Sequence, residues 1–317
     1  MRIVFFGSPA SALPSLKRIT AAGHSIELII TQPDKPSGRG KKLMPCPVRR
    51  TALERNISSC QPLKIKQDAA VLEKIREIQP ELIVVVAYGQ IIPASIIYLP
   101  KYHSLNLHFS LLPKYRGASP VQWALLNGEE KTGITIFELN EKMDEGDILA
   151  QEEVEILPEE NAAELEARLA QKGAELLVES IARVDSLEHR PQDHSQATYA
   201  PKLSKEDGKI DWSKNAPRIE RQVRAFTPWP SAYTFLNEKR IIILKGKRVE
   251  GKFSPSSSSG EILEIKKEGI EVCCGERTTF LVQNLQPEGR KKMDAYAFCL
   301  GARVRVGDKL SSSKLII

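Results

Sequence analysis

Ser104-Leu105-Asn106-Leu107-His108-Phe109-Ser110-Leu111-Leu112-Pro113-Lys114-Tyr115-Arg116-Gly117 is the stretch on which the reading of this chain turns. Leu105 and Leu107 alternate with polar residues, the pattern of a short strand, and side chains two apart on a strand share a face. Asn106 and His108 therefore project together, and Leu107 projects the other way. Pro113 and Gly117 then break the regular structure, so the strand ends where two polar side chains meet a loop. In an open α/β sheet, ligands bind outside the carboxyl ends of the strands. An imidazole exchanges protons near neutral pH, and a carboxamide can donate an N–H to an oxygen that gains negative charge. Such a pair suits attack on a carbonyl carbon. Standing alone, an Asn-x-His is more often a histidine bonded to backbone beside an asparagine in a turn. What raises the catalytic reading is the Ser110 to Pro113 loop, which has the form of a ligand cradle.

The chain before this stretch predicts the sheet that carries it. Arg2-Ile3-Val4-Phe5-Phe6 reads as a buried strand, Ala10 to Ala22 as a helix through Leu13, Leu16 and Ile19, and Ser25 to Thr31 as a second strand. A strand–helix–strand opening implies a doubly wound, mostly parallel sheet. The turn after the first strand lacks Gly-x-Gly-x-x-Gly, so a dinucleotide is not supported. Gln32 to Pro47 holds four prolines and two glycines, which exclude helix and sheet alike, and sets Lys35, Arg39, Lys41 and Lys42 against the single acid Asp34. A long basic loop inside a compact domain is usually functional or disordered. Val48 to Asn56 and Ala69 to Ile78 read as helices, with Ile65 on a short strand. The unbroken apolar run Leu82 to Ala87 is a central strand, and Tyr88-Gly89 at its end forms another wall of the site.

After the central stretch, Pro120 to Asn127 reads as a helix, and Thr132 to Leu139 and Asp147 to Val154 read as strands. The turn between these strands is rich in acids. A carboxylate from it could orient His108, but position alone does not choose among Glu141, Asp144, Glu145 and Asp147. Asn161 to Leu187 is a long helix. Trp212 precedes a helix around Arg218 to Phe226, and five short alternating segments follow between Ala232 and Leu285, as in a small barrel. Ser254 to Gly260 is a Ser-rich insertion. Arg290-Lys291-Lys292 is a basic turn.

Length and composition agree with this division. A chain of 317 residues suggests about two domains. Charged residues at 27% and hydrophobic ones at 41% are ordinary for a soluble globular protein. The net charge of +6 is uneven: from Asp207 onward there are 21 Lys and Arg against 13 Asp and Glu. That asymmetry suggests a polyanion partner for the carboxyl-terminal third. No apolar run reaches the roughly 18 residues of a membrane span, and the amino terminus enters a strand at once, so a cytoplasmic protein is expected. Cys46, Cys60, Cys273, Cys274 and Cys299 form no Cys-x-x-Cys pair, which predicts free thiols rather than a zinc site.

Asn106-Leu107-His108 running into Ser110-Leu111-Leu112-Pro113 and Arg116-Gly117, with Met143-Asp144-Glu145-Gly146-Asp147 downstream, resembles the 10-formyltetrahydrofolate-dependent formyltransferases. The resemblance spans nearly the whole chain. The segment 189–206 is polar, with Pro191 and Pro201, and reads as a linker; the resemblance implies a Rossmann-like catalytic domain over 1–188 before it and a small OB-like β-barrel over 207–317 that binds tRNA after it. It implies transfer of the formyl group of 10-formyltetrahydrofolate to the α-amine of initiator methionyl-tRNA, by a monomer. From the four acids it picks Asp144, joining Asn106 and His108 as catalytic residues. The folate donor would lie between Tyr88-Gly89, the loop Ser110, Leu111, Leu112 and Pro113, and the acidic hairpin. Lys35, Arg39, Lys41, Lys42, Arg290, Lys291 and Lys292 would meet tRNA. The formamide is already activated by its aryl nitrogen, so no metal is expected. Two residues depart from the family pattern: Glu145 stands where a threonine is usual, and Phe109 where a small residue is usual. The alternative within the family is a formyltransferase acting on a small amine, glycinamide ribonucleotide or an amino-sugar nucleotide, against which the basic loop and basic second domain argue. A rival of another class is a non-catalytic RNA-binding protein, against which the presence of all three catalytic residues argues.

Overall fold

The computed structural model describes residues 1–37, 42–251 and 257–313. The chain divides into two units. The first comprises Met1–Pro120, Lys131–Glu155 and Glu166–Pro201, and the second Val121–Glu130, Ile156–Leu165 and Lys202–Ile317.

In the first unit, β1 (Arg2–Gly7) is buried from Ile3 onward, α1 (Leu13–Ala21) follows a short 3-10 turn, and β2 (Ser25–Ile30) returns parallel to β1. The basic loop corrects the sequence reading. β3 (Lys35–Ser37) and β4 (Lys42–Met44) pair as a small antiparallel ribbon, with Pro36 opposite Leu43. A two-stranded ribbon has open outer edges, where a proline withholds no N–H that a further strand would need. Next come α2 (Pro47–Glu54) and β5 (Ser59–Cys60), which pairs with β2. Ile65 is not on a strand as expected. It starts a 3-10 turn, and its N–H donates to Oε1 of Gln90 at 2.9 Å instead of joining a ladder.

The helix α3 (Ala69–Ile78) spans the range the spacing predicts. Asp68 caps it, accepting from the Val71 N–H at 3.1 Å, a contact of a kind that contributes about 1 kcal/mol. The remaining elements of this unit are β6 (Leu82–Val86), α4 (Ala94–Ile97), β7 (Ser104–His108) and β8 (Arg116–Gly117). After α5 (Pro120–Asn127), most of which groups with the second unit, come β9 (Lys131–Glu138) and β10 (Ile148–Glu155). Then α6 (Ala162–Ala182), shorter than the Asn161–Leu187 reading, leads to β11 (Tyr199–Ala200).

The main sheet has the order β10-β9-β7-β6-β1-β2-β5. β9 alone is reversed. Strands wind outward in both directions from the β1–β6 boundary, which places a crevice at the carboxyl ends of β1, β6 and β7. Leu107 packs toward α6, where a Cβ on Gly173 would stand 2.8 Å from its Cδ1. Asn106 and His108 therefore face the other side of the sheet.

The second unit begins its own core with α7 (Ala216–Ala225), capped by Asn215. The strands are β12 (Ala232–Leu236), β13 (Lys239–Val249), β14 (Ile262–Lys266), β15 (Gly269–Cys274) and β16 (Thr278–Pro287), close to the five expected segments. β17 (Met293–Asp294), which pairs with β16, and α8 (Ala295–Ala302) were not read from the sequence. All-antiparallel pairing gives the order β12-β13-β16-β15-β14. One short segment bridges both edges of this sheet. Ser311 exchanges two 2.9 Å backbone bonds with Phe235 of β12, while the Leu310 N–H donates to Gly260 and the Ile262 N–H to Asp308, both at 2.8 Å. Inside, Trp212 donates its indole N–H to Oγ1 of Thr234 at 2.9 Å and packs among Ile243, Val272 and Phe280. The Ser-rich insertion lies, over 252–256, outside the described residues.

The thiols give a direct check on this core. Cys46 and Cys60 are half-buried, whereas Cys273, Cys274 and Cys299 are buried. Burial pushes Cys274 up to about 12 and Cys299 up to about 11, which suppresses the reactive thiolate. In native protein at pH 8, an aromatic disulfide reagent is expected to consume Cys46 and Cys60 quickly and the other three only after denaturant. Five fast thiols would contradict the packing.

Candidate active site

β7 delivers His108 to the carboxyl end of the sheet with its side chain 8% exposed. Its Nε2 lies 2.9 Å from the carbonyl oxygen of Tyr115. A carbonyl only accepts, so Nε2 carries the hydrogen and Nδ1 is the nitrogen left for proton exchange. Nδ1 faces Oδ2 of Asp144 at 3.9 Å. That distance suits an ion pair but exceeds a direct hydrogen bond. The ring is thus held by backbone, and the carboxylate stands beside it. Asn106, two residues back on the same face, is half-buried, and its carboxamide makes no hydrogen bond among the described residues, leaving its N–H groups free to donate.

The four acids of the hairpin separate by their partners. Asp144 accepts the Gly117 N–H at 2.7 Å through the same Oδ2 that faces His108. Glu141 points to the Tyr98 hydroxyl at 2.8 Å, and that hydrogen bond holds its carboxyl below the usual range. Glu145, the departure from the family pattern, pairs with Arg116 at 3.3 Å and Lys142 at 3.5 Å. Asp147 contributes its carbonyl to the Glu138 N–H. The turn is tight: a Cβ on Gly146 would fall 1.6 Å from the Glu138 carbonyl oxygen. Asp144 (φ 56°) and Tyr115 (φ 61°), the two residues that flank the imidazole, both hold left-handed backbone. Such conformations cost on the order of 1–3 kcal/mol each and persist where surrounding contacts impose them.

The cradle loop is fixed from beneath by residues the sequence reading did not single out. Thr135, the cross-strand neighbour of His108, donates its hydroxyl to the Ser110 carbonyl at 2.6 Å and accepts the Leu112 N–H at 3.2 Å. Gln151 donates to the Leu112 carbonyl at 2.8 Å and to the Thr135 hydroxyl at 2.9 Å. The Ser110 hydroxyl turns inward to the Lys114 carbonyl at 2.6 Å, and Leu112 packs with Phe137 and Ile148. Ser110 and Leu112 therefore shape the loop from inside. Tyr88 likewise sends its ring into the core, edge-on to Phe6 at 5.1 Å, and burial raises its hydroxyl above the ordinary range. What reaches the crevice is its backbone, steadied by Gln32 Nε2 at 3.0 Å from its carbonyl oxygen, and Gly89 at φ +81°.

Residues 189–201, read from the sequence as linker, form a strap along this site. Arg190 and Ile148 exchange backbone bonds at 2.8 and 3.0 Å, the Tyr115 N–H donates to Oγ1 of Thr198 at 2.9 Å, and β11 pairs in parallel with β8. Gly117, at φ +123°, lets the strap approach, since a Cβ there would lie 2.6 Å from the Ala200 carbonyl oxygen.

Residues 1–181 match the Formyl transferase family, and residues 202–303 match its C-terminal domain. The chain belongs to the formyl transferase family. It is 43% identical over 315 residues to a protein of Geobacter sulfurreducens named methionyl-tRNA formyltransferase, covering 99% of this chain and 98% of that one. Among solved structures it is similar to an N-formyltransferase of Helicobacter canadensis in complex with folinic acid and dTDP-3-aminofucose, with TM-score 0.64, 20% identity and coverage of 89% of this chain and 98% of that one. It is also similar to HypX of Aquifex aeolicus, with TM-score 0.62 and 18% identity over 94% of this chain; this chain spans about half (48%) of that protein's length. In this formyl transferase the first unit brings together Asn106, His108, Asp144, the Ser110–Pro113 loop and Tyr88-Gly89. Lys35 is exposed on β3, and Lys42 has its backbone on β4. Arg39 and Lys41 lie outside the described residues. Arg290, Lys291 and Lys292 are exposed on the turn between β16 and β17.

Proposed function

We propose that this formyl transferase moves the formyl group of 10-formyltetrahydrofolate to the α-amine of initiator methionyl-tRNA. The observation that carries the reading is the convergence of Asn106, His108 and Asp144 at the end of β7, in a chain alike along its full length to a methionyl-tRNA formyltransferase. The amine attacks the formyl carbon, and a C–N bond forms. Asn106 donates to the oxygen that becomes negative. His108 delivers a proton from Nδ1 to N10 as the old C–N bond breaks, because its Nε2 hydrogen is engaged by Tyr115, and the proton shed by the attacking amine returns to Nδ1, so the ring ends as it began. Asp144 lies where it pairs with the ring carrying its second proton. The donor lies against the Ser110–Pro113 loop and the Tyr88-Gly89 backbone. The division proposed for function gives the chemistry to 1–188 together with the strap 189–201, and tRNA to 207–317 with its OB-like strands. The protein acts as a cytoplasmic monomer; among the described residues no helix is long and apolar enough to cross a membrane.

A tRNA acceptor makes the reading testable by salt. Each phosphate contact made by a cation contributes roughly 0.7–0.9 to the slope of log affinity against log salt. Replacing Arg290, Lys291 and Lys292 together by Gln is expected to weaken binding of methionyl-tRNA and to flatten that slope. An unchanged slope would leave this turn a solvated face, and efficient formylation of an amino-sugar nucleotide in place of methionyl-tRNA would favour the small-amine alternative.

A further inference from the structure

We propose that Gln192 is the positioning residue of the acid–base pair: its carboxamide fixes the turn that presents Asp144 to His108. Gln192 sits on the strap and is 6% exposed. Its Nε2 donates to the carbonyl oxygens of Asp144 at 3.0 Å and Gly146 at 2.7 Å. Its Oε1 accepts from Arg116 Nε at 3.2 Å and Nη2 at 2.7 Å. Every donor and acceptor of the carboxamide is thus committed, and no other side chain of this reach donates twice on one side while accepting on the other. Glutamate lacks the donors, lysine and arginine lack the acceptor, and methionine lacks both.

Asp144 is gripped at two points. Its carboxylate takes the Gly117 N–H, and its own carbonyl takes Gln192. The left-handed backbone at Asp144 is a conformation that surrounding bonds must impose. Arg116 anchors the far side of the carboxamide. It is 1% exposed, and besides Gln192 it pairs with Glu145 and donates to Nδ1 of His194 at 2.9 Å. The strap cannot slide, being bonded to Ile148 at one end and to β8 at the other. Gln192 touches no reacting atom, so its effect on turnover runs through Asp144.

The proposal rests on His108 and Asp144 being the acid–base pair, and the test separates the two. Gln192→Glu keeps the acceptor for Arg116 and removes both donors. It is expected to lower kcat of formyl transfer roughly ten- to hundredfold, the scale of a catalytic group misplaced by up to 1 Å, with KM for the folate donor near wild type. In an Asp144→Asn background the same change should add almost nothing, because the two residues act as a unit. Hydrogen exchange of the Gly117 amide, which needs no turnover, should quicken in Gln192→Glu as its acceptor moves. A wild-type enzyme without formyl transfer would overturn the functional reading, while the exchange measurement would still decide on Gln192. Unchanged kcat, equal losses in both backgrounds, or an unchanged Gly117 amide would each overturn the proposal. Should Gln192→Glu not fold, Gln192→Asn, too short to hold both sides, is expected to fold and give the same split between kcat and KM. Failure of both to fold would mark Gln192 as a structural brace and end the positioning assignment.

Discussion

Replacing His108 by Ala is expected to lower the single-turnover rate of formyl transfer by about 10²–10⁴-fold, the usual range for a general acid–base, while leaving folate affinity near wild type. The separation follows from the contacts. The imidazole touches Tyr115 and faces Asp144. The Ser110–Pro113 loop is held instead by Thr135 and Gln151, so the donor's bed survives the loss of the ring. Truncation removes the imidazole's bond to the Tyr115 carbonyl, a stability cost on the order of 1–3 kcal/mol. His108→Gln is the control: an amide N–H can replace the bond to Tyr115 but cannot exchange protons at neutral pH. Both variants should lose the same large factor in rate. A loss below tenfold in His108→Gln would remove proton transfer by this residue from the mechanism.

Asp144→Asn is expected to cost a comparable factor, about 10²–10⁴-fold in kcat, with the fold intact. The carboxamide oxygen can still accept the Gly117 N–H, so the turn keeps its shape. What disappears is the negative charge beside Nδ1 of His108, 3.9 Å away. Charge-neutral replacement therefore isolates electrostatics from geometry. The measurement is kcat and KM for both substrates together with the thermal midpoint. Full activity in Asp144→Asn would transfer the role to another group of the hairpin, although Glu141 and Glu145 are already engaged by Tyr98 and Arg116.

Much of this arrangement was legible in the residues because it is local. The alternation through Leu105 and Leu107 located β7 and placed Asn106 and His108 on one face. Unbroken apolar runs located β1 and β6, and short alternating runs located the strands of the second unit. Other features were not legible. Pro36 looked like a sheet breaker, yet a free ribbon edge tolerates it. β17 and α8 are short, and β17 gains its pairing only against β16. The strap is the largest omission. Its residues 189–201 are polar and lack any period, so composition reads them as linker. Their order comes from partners far away in sequence: Tyr115 to Thr198 spans 83 residues and Arg116 to Gln192 spans 76. The same holds for Thr135, which reaches across 25 residues to Ser110. The choice of Asp144 among four acids came from the family pattern. The separation of those acids by partner is visible only in three dimensions.

The most direct measurement follows the formyl carbon itself. Wild-type protein is mixed with 10-formyltetrahydrofolate labelled in the formyl group and with initiator methionyl-tRNA, quenched through one turnover, and the tRNA is deacylated. Label is expected in N-formylmethionine, at a rate that His108→Gln and Asp144→Asn both depress. Label that stays on folate, passes to free formate, or reaches N-formylmethionine equally fast in those variants would contradict the assignment.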